Sequence, residues 1–318
     1  MGTGEAAAAW RLHLLNWYLL GAIGAAFALA LALTDFSLSP INFAVGCGFV
    51  AVYAAFSFYN ALAPRRRDPQ VVYVLGGTAQ IVLTTLLFAP FTYIAAAANF
   101  PMQDANLLAI DRAFGLDWLA YVTFVDARPT LASWLDFGYS MIKWPLFIVP
   151  VVLAALAQYR RLQEYTLAFA LALIATTVSS TLVPAIGVFQ QIGVAVTDFP
   201  NVNPVAYLGQ VQDLPAVRGG GLRVLDVGAL SGIITFPSFH AASAALYTWA
   251  LWGSKWFRPI AVVSNLAMLA ATPITGGHYF VDLAAGIAVA ILAIAAAKVV
   301  GRRLAAEAAN AQAAPQPA

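Results

Sequence analysis

Residues 279–300 read YFVDLAAGIAVAILAIAAAKVV, an apolar run in which Asp282 and Lys298 are the only charged side chains. A helix of about 20 apolar residues crosses the roughly 30 Å hydrocarbon core of a bilayer, because each residue adds about 1.5 Å. The bilayer has no water to bond the backbone, so a run of this kind must be helical. The stretch therefore predicts a membrane-spanning helix, and similar runs recur along the chain.

The composition of the whole chain agrees with this prediction. Hydrophobic residues make up 62 % of the 318 residues, charged residues 9 %, and the mean hydropathy is +0.80. These values exclude an ordinary soluble domain. We predict an all-α, polytopic membrane protein with about eight transmembrane helices. The predicted spans are 16–33, 41–62, 72–98, 142–157, 166–184, 240–252, 260–274 and 279–300.

The chain divides into three predicted regions. Residues 1–70 form an N-terminal transmembrane helix pair, closed by a turn around Arg65, Arg66 and Arg67 with a proline at each end. Residues 71–303 form the membrane core. Residues 304–318, rich in Ala, Gln, Asn and Pro, are expected to be disordered.

Basic residues cluster in alternate loops. Eleven of the sixteen lie at Arg11, Arg65–Arg67, Arg160–Arg161, Lys255, Arg258, Lys298, Arg302 and Arg303. The positive-inside rule assigns these segments to the cytoplasm. The loops 98–141 and 185–237 then face outward. We expect a multi-pass protein whose partner is the bilayer, and no nucleic-acid partner.

The chemistry-bearing residues lie at the outward helix ends. His278 and Asp282 are four residues apart, so on a helix they share one face. The carboxylate can then accept the imidazole Nδ1–H and leave Nε2 as a nucleophile. Gly276 and Gly277 leave the backbone open to a phosphate, and the helix N-terminus favours an anion. This string predicts a phosphoryl-transfer site.

A second string, Pro237-Ser238-Phe239-His240, opens another outward helix end. Ser238 is suited either to cap this helix or to donate to a phosphate oxygen. His240 would serve as the general acid for the leaving oxygen. A lone interfacial histidine is more often a polar rim residue, and His13 at the cytoplasmic edge is interpreted in that way. A metal site needs three or four ligands, so no metal and no other cofactor is expected.

These strings resemble a known family. Residues 236–242, FPSFHAA, and residues 277–286, GHYFVDLAAG, are similar to the type 2 phosphatidic acid phosphatase superfamily, specifically its inositol phosphorylceramide synthase-like branch. Residues 183–187, VPAIG, also resemble that branch, and the likeness spans roughly residues 72–300. The resemblance implies that residues 71–303 are a catalytic core. It also implies that His278 forms a phosphohistidine, that Asp282 orients it and that His240 is the acid.

The superfamily's usual phosphate-binding strings are missing. Its phosphatases have Lys-x6-Arg-Pro, whereas Tyr121 and Leu251 stand where the lysines of the two Arg-Pro pairs would be. The synthase-like branch lacks these strings too. We expect Arg218 and Arg223, which flank a glycine run, to neutralise the phosphate, with Lys143 next. The alternative is that the two arginines only solvate their loop.

The leading hypothesis is therefore an enzyme that moves a phosphate-containing head group from a membrane lipid to an alcohol or polyol acceptor. Water as the acceptor would make it a lipid phosphate phosphatase, and the residues alone do not decide between the two. A transporter or flippase is a weaker alternative, because the presumed central parts of the spans lack charge. The active site is expected on the non-cytoplasmic face. Ser238, Gly277, Arg218, Arg223 and Lys143 are the predicted phosphate-binding residues.

Overall fold

Helices form almost the whole molecule. The computed structural model describes residues 3–63 and 68–313. Two-residue strands, β1 (Ser37–Leu38) and β2 (Val224–Leu225), pair in parallel. The helices are α1 (Thr3–Leu33), α2 (Pro40–Leu62), α3 (Pro69–Ala96), α4 (Asp104–Ala113), α5 (Trp118–Asp126), α6 (Pro129–Ser140), α7 (Pro145–Ala155), α8 (Tyr159–Leu182), α9 (Val188–Ile192), α10 (Val205–Arg218), α11 (Phe239–Leu251), α12 (Phe257–Thr275) and α13 (Phe280–Ala313).

The prediction of a helical polytopic membrane protein is confirmed. Within the described residues, six helices are long and apolar enough to cross a bilayer: α1, α2, α3, α8, α12 and α13. The pair formed by α6 and α7, bent by 59°, adds a seventh if it is one broken span. The remaining predicted span, 240–252, corresponds to α11. Its 13 residues extend about 20 Å at 1.5 Å per residue, too short to cross the bilayer core alone.

The C-terminal boundary differs from the prediction. Residues 304–313, expected to be disordered, continue α13 as helix, because the alanine-rich segment has high helix propensity. Residues 314–318 and the predicted turn at Arg65, Arg66 and Arg67 lie outside the described residues.

Helix α8 lies at the centre of the bundle and contacts α1, α3, α11 and α13. The bundle is closed by small residues that let backbones approach one another. Gly286 on α13 is an example, since a Cβ there would lie 2.2 Å from the carbonyl oxygen of Ser238. This contact fixes the N-terminus of α11 against the first turns of α13.

His13 is not at a solvated rim. It is fully buried among α1, α2 and α3, stacked on Trp10 at 5.4 Å between ring centroids. Its Nε2 accepts a hydrogen bond from the indole of Trp17, and a Cβ on Gly76 would lie 2.4 Å from its ring. The interpretation as a rim residue was wrong, because Gly76 makes room for the ring inside the helix bundle.

The turn between α1 and α2 is bound to the loop after α10. Strands β1 and β2 form the clasp, with Ser37 N–H donating to the carbonyl of Arg223. Arg223 donates to Asp35 at 2.7 Å, and Asn42 donates to Asp226 at 2.7 Å. We refer to these contacts as the hairpin clasp.

Candidate active site

The predicted histidine–carboxylate pair is formed. His278 lies just before α13 and Asp282 in its first turn, with 3.1 Å between His278 Nδ1 and Asp282 Oδ2. The same oxygen accepts the backbone N–H of Tyr279 at 2.9 Å. Both side chains are buried. A carboxylate that accepts the Nδ1–H leaves the lone pair of Nε2 available as a nucleophile.

The two glycines before His278 have different roles. A Cβ on Gly276 would lie 2.5 Å from Cδ2 and 3.1 Å from Nε2 of His278, so this glycine clears the ring edge that carries Nε2. Gly277 adopts φ +64°, and its Cβ would lie 2.6 Å from the ring of Tyr207. Its carbonyl accepts the N–H of Val188 at 2.9 Å. Gly277 therefore forms a packed turn, whereas Gly276 lies beside Nε2 of His278.

His240 and His278 line one cavity. It lies in the first turn of α11, and its ring stacks on Tyr139 with 4.0 Å between centroids and 16° between planes. Both histidines line the same cavity of about 290 Å³. The structure thus brings together the two imidazoles that the sequence assigns to separate helices.

Ser238 is the N-cap of α11. Its Oγ accepts the N–H of Ala241 at 3.3 Å, and its own N–H donates to the carbonyl of Asp282 at 3.0 Å. The side chain is fully buried and lies outside the cavity lining. Of the two roles predicted for Ser238, the geometry therefore favours capping over phosphate binding.

The cavity wall is apolar or neutral apart from the two histidines. Among the described residues that line it, none is Lys or Arg. The apolar part of the wall includes Phe88, Ala89, Leu173, Ile234 and Phe239. The uncharged polar part comprises Thr85, Thr92, Tyr93, Tyr139, Gln210 and Ser231.

The three basic residues expected to bind phosphate lie elsewhere. Arg223 donates to Asp35 and to the carbonyls of Val217 and Leu222 within the hairpin clasp. Arg218 donates to the carbonyl of Phe100 at 2.8 Å and lines a second cavity. Lys143 is exposed and is not part of the lining. None of the three therefore lines the cavity with His240 and His278; two of the contacts that hold the arginines, to Phe100 and to Asp35, come from segments distant in sequence.

The N-terminus of α13 is not open to an anion. The carboxylate of Asp111, on α4, accepts the N–H of Phe280 at 2.7 Å and of Val281 at 2.8 Å. Burial raises the pKa of Asp111, and these two hydrogen bonds oppose the rise. Since Asp282 takes the N–H of Tyr279, protein carboxylates occupy the site where the sequence suggested a phosphate cradle.

Asp104 is a second residue that sequence reasoning missed. Its carboxylate accepts the N–H groups of Ile186 and Gly187 and the hydroxyl of Tyr279 at 2.9 Å. It thereby ties the segment before α9 to the residue after His278. Asp104 and Asp111 are seven residues apart and share one face of α4. That seven-residue spacing was the signal available in the sequence.

A family model described as the PAP2 superfamily matches residues 105–296, more than half of the chain. The chain belongs to the PAP2 superfamily. This match includes His240, His278 and Asp282, and it supports an enzyme of the lipid phosphatase or phosphotransferase type acting on a membrane lipid. No curated protein and no solved structure matches the chain.

The described residues do not group three His, Cys, Asp or Glu side chains in an arrangement able to hold a metal ion.

Proposed function

We propose that this PAP2 superfamily member is a membrane-embedded phosphotransferase that moves a phosphate-containing head group from a lipid donor to an alcohol or polyol acceptor through a phosphohistidine. One observation carries the proposal. His278, hydrogen-bonded to the buried Asp282 at 3.1 Å, and His240 line one cavity. A nucleophile, the group that orients it and an acid in the same cavity are the parts that two-step phosphoryl transfer needs.

In the first step, Nε2 of His278 attacks the phosphorus atom. The bond from phosphorus to the lipid alcohol breaks, and protonated His240 gives its proton to the departing oxygen. Asp282 holds the Nδ1–H of His278 and stabilises the positive charge that develops on the ring. In the second step the acceptor oxygen attacks the phosphorus, the phosphorus–nitrogen bond breaks, and His240 takes up the acceptor's proton.

The charge around the cavity favours a phosphodiester donor. A phosphate monoester carries about −1.5 to −2 charge at pH 7, whereas a diester carries a single charge. The lining offers no Lys or Arg among the described residues. The N–H groups of Phe239 and His240 have no partner within α11 and provide a helix N-terminus for the phosphoryl oxygens. This modest positive potential supports head-group transfer, including the inositol- or sphingolipid-type transfer that the branch resemblance implies.

The positions of the ion pairs support an active site on the non-cytoplasmic face. Glu307 lies about 40 Å along α13 from Phe280, at 1.5 Å per residue, and is paired with Arg11. Arg160 pairs with Glu5 and Glu164. Several of the basic residues used for the positive-inside assignment therefore lie at the end of α13 remote from His278.

The experiment uses the purified protein in vesicles, with phosphorus-labelled phosphatidylinositol or phosphatidic acid as donor and glycerol as acceptor, so that loss of label from the lipid reports cleavage and the labelled product reports transfer or hydrolysis. We expect His278→Ala to reduce donor cleavage to background. We expect His240→Ala to reduce it by about 10²–10⁴-fold, as for loss of general acid catalysis. Glu307→Ala is the control, since an exposed ion pair contributes at most about 1 kcal/mol. Near-wild-type cleavage by His278→Ala would reject the proposal, and faster hydrolysis of phosphatidic acid than transfer from phosphatidylinositol would favour the phosphatase alternative.

A further inference from the structure

The general acid of the proposed reaction lacks the kind of partner that orients the nucleophile. His278 is held by Asp282 at 3.1 Å, whereas neither ring nitrogen of His240 is hydrogen-bonded to a described residue. The aromatic contact of His240 is with Tyr139, at 4.0 Å between ring centroids and 16° between planes. A nearly parallel stack of this kind fixes the plane of the imidazole and leaves both nitrogens free to bond a ligand.

Tyr139 is held in place from two sides, near the C-terminal end of α6. Next to it, Gly138 packs against α12, where a Cβ would lie 2.9 Å from the side chain of Ala267. On the other side, the turn after α6 is bonded to α11, because the hydroxyl of Tyr247 donates to the carbonyl of Ile142 at 3.0 Å. The backbone that carries Tyr139 is therefore tied to the same helix that carries the general acid.

The stack favours the charged form of His240. The face of a phenol ring carries partial negative charge, so a cation lying over it is stabilised. Proton donation requires that charged form, yet His240 shares a largely apolar cavity with His278, whose ring becomes positive as Nε2 attacks. Two positive rings in one cavity repel each other, and the aromatic face of Tyr139 offsets part of that repulsion.

The other ionisable groups on the elements around His240 are bonded elsewhere or lie outside the cavity lining. They are Asp282 (paired with His278), Tyr93 (paired with Asp213), Tyr247 (bonded to Ile142), Lys143 (exposed), and Arg161 and Arg258 (bonded to carbonyls at the far end of α11). The contact with Tyr139 is thus the one that acts on the His240 ring directly.

We propose that Tyr139 is a positioning residue for the general acid, whose ring holds the plane of the His240 imidazole and stabilises its protonated form by stacking. The inference rests on the proposed function. In donor cleavage the bond from Nε2 of His278 to phosphorus forms, the bond from phosphorus to the lipid alcohol breaks, and the proton of His240 moves to the departing oxygen. Tyr139 gives up no proton and acts through its ring rather than its hydroxyl.

The test titrates His240 directly. The chain contains three histidines, so protein labelled with ¹³C at histidine gives three imidazole signals by NMR in detergent, and His240→Ala identifies the signal of His240. We expect Tyr139→Leu, which removes the aromatic face, to lower the pKa of His240 by about half to one unit. Because less of the acid is then protonated, kcat for cleavage of phosphorus-labelled phosphatidylinositol should fall by about three- to tenfold.

Further variants separate the ring of Tyr139 from its hydroxyl and from general effects on α6. Tyr139→Phe keeps the aromatic face and should keep both the pKa of His240 and kcat close to the wild-type values. Phe137→Leu is the matched control, because it makes the same kind of change at a residue of α6 that is 56 % exposed and outside the cavity lining. Tyr139→Met provides a second loss of the aromatic face if Tyr139→Leu folds poorly.

An unchanged pKa of His240 in Tyr139→Leu and Tyr139→Met overturns the inference. A Tyr139→Phe protein that loses as much activity as Tyr139→Leu also overturns it, since the hydroxyl rather than the ring would then be the group in use. The titration is carried out without lipid, so its result is independent of His278→Ala, which tests the proposed cleavage itself.

Discussion

At the scale of single residues, the His278–Asp282 pair could be predicted from the sequence, but the surroundings of the His278 ring could not. The spacing of His278 and Asp282 is a local property, and the 3.1 Å contact agrees with it. The roles of Gly276 and Gly277 depend on which atoms lie where a side chain would be. Tyr207, distant in sequence, faces Gly277, whereas the ring of His278 itself lies over Gly276.

Gly276 yields the sharpest prediction at this scale. Its φ of −92° is accessible to alanine, so Gly276→Ala introduces a contact rather than backbone strain. The new Cβ would lie 2.5 Å from His278 Cδ2 and 3.0 Å from the carbonyl of Thr272. We expect the imidazole to be displaced and kcat for donor cleavage to fall at least tenfold. Gly48→Ala on α2, where nothing lies within 4 Å, should leave kcat unchanged. If Gly276→Ala kept the wild-type kcat, the edge of the His278 ring beside Gly276 would have no part in donor cleavage.

At the scale of elements, α4 determines how the start of α13 is held. The sequence predicted that this segment belongs to the outward loop 98–141, and α4 lies within it. Its function in the site was missed because carboxylates on such a helix normally face water. Asp111 instead caps the backbone of Phe280 and Val281, and Asp104 caps Ile186 and Gly187. The expectation of a free anion cradle failed for the same reason.

Asp111→Ala should therefore affect both stability and catalysis. Two buried N–H groups would lose their partner, at a cost of about 1–3 kcal/mol for each, and the turn carrying Asp282 would loosen. We expect a lower unfolding temperature in detergent and a fall in kcat. Asp117→Ala is the matched control, since it removes the exposed N-cap of α5, a loss of about 1 kcal/mol, with no contact to α13. Equal effects of the two variants on kcat would contradict a specific role for Asp111.

At the scale of the whole molecule, the long apolar helices were predictable because each is encoded by a continuous run. The number of membrane spans was predicted less accurately, because α11 is short and α6 and α7 form a bent pair. Contacts between distant segments were not predictable. The hairpin clasp joins Asp35 to Arg223 and Asn42 to Asp226, and the loop that follows supplies Ser231 to the cavity. The N-terminal pair, outside the family match, thus supports the active site.

The hairpin clasp and the earlier phosphate-binding hypothesis for Arg223 predict different mutant behaviour. If Arg223 neutralised the phosphate, Arg223→Ala would cost roughly 10²–10³-fold in kcat, and Asp35→Ala would have little effect. In the structure Arg223 instead holds Asp35 and two carbonyls. We therefore expect both variants to loosen the loop, to lower transfer to glycerol relative to hydrolysis by a few-fold, and to retain donor cleavage. The double variant should resemble Arg223→Ala alone, because both changes remove the same contact. Additive effects, or a loss of donor cleavage confined to Arg223→Ala, would instead support a role for Arg223 in binding the phosphate.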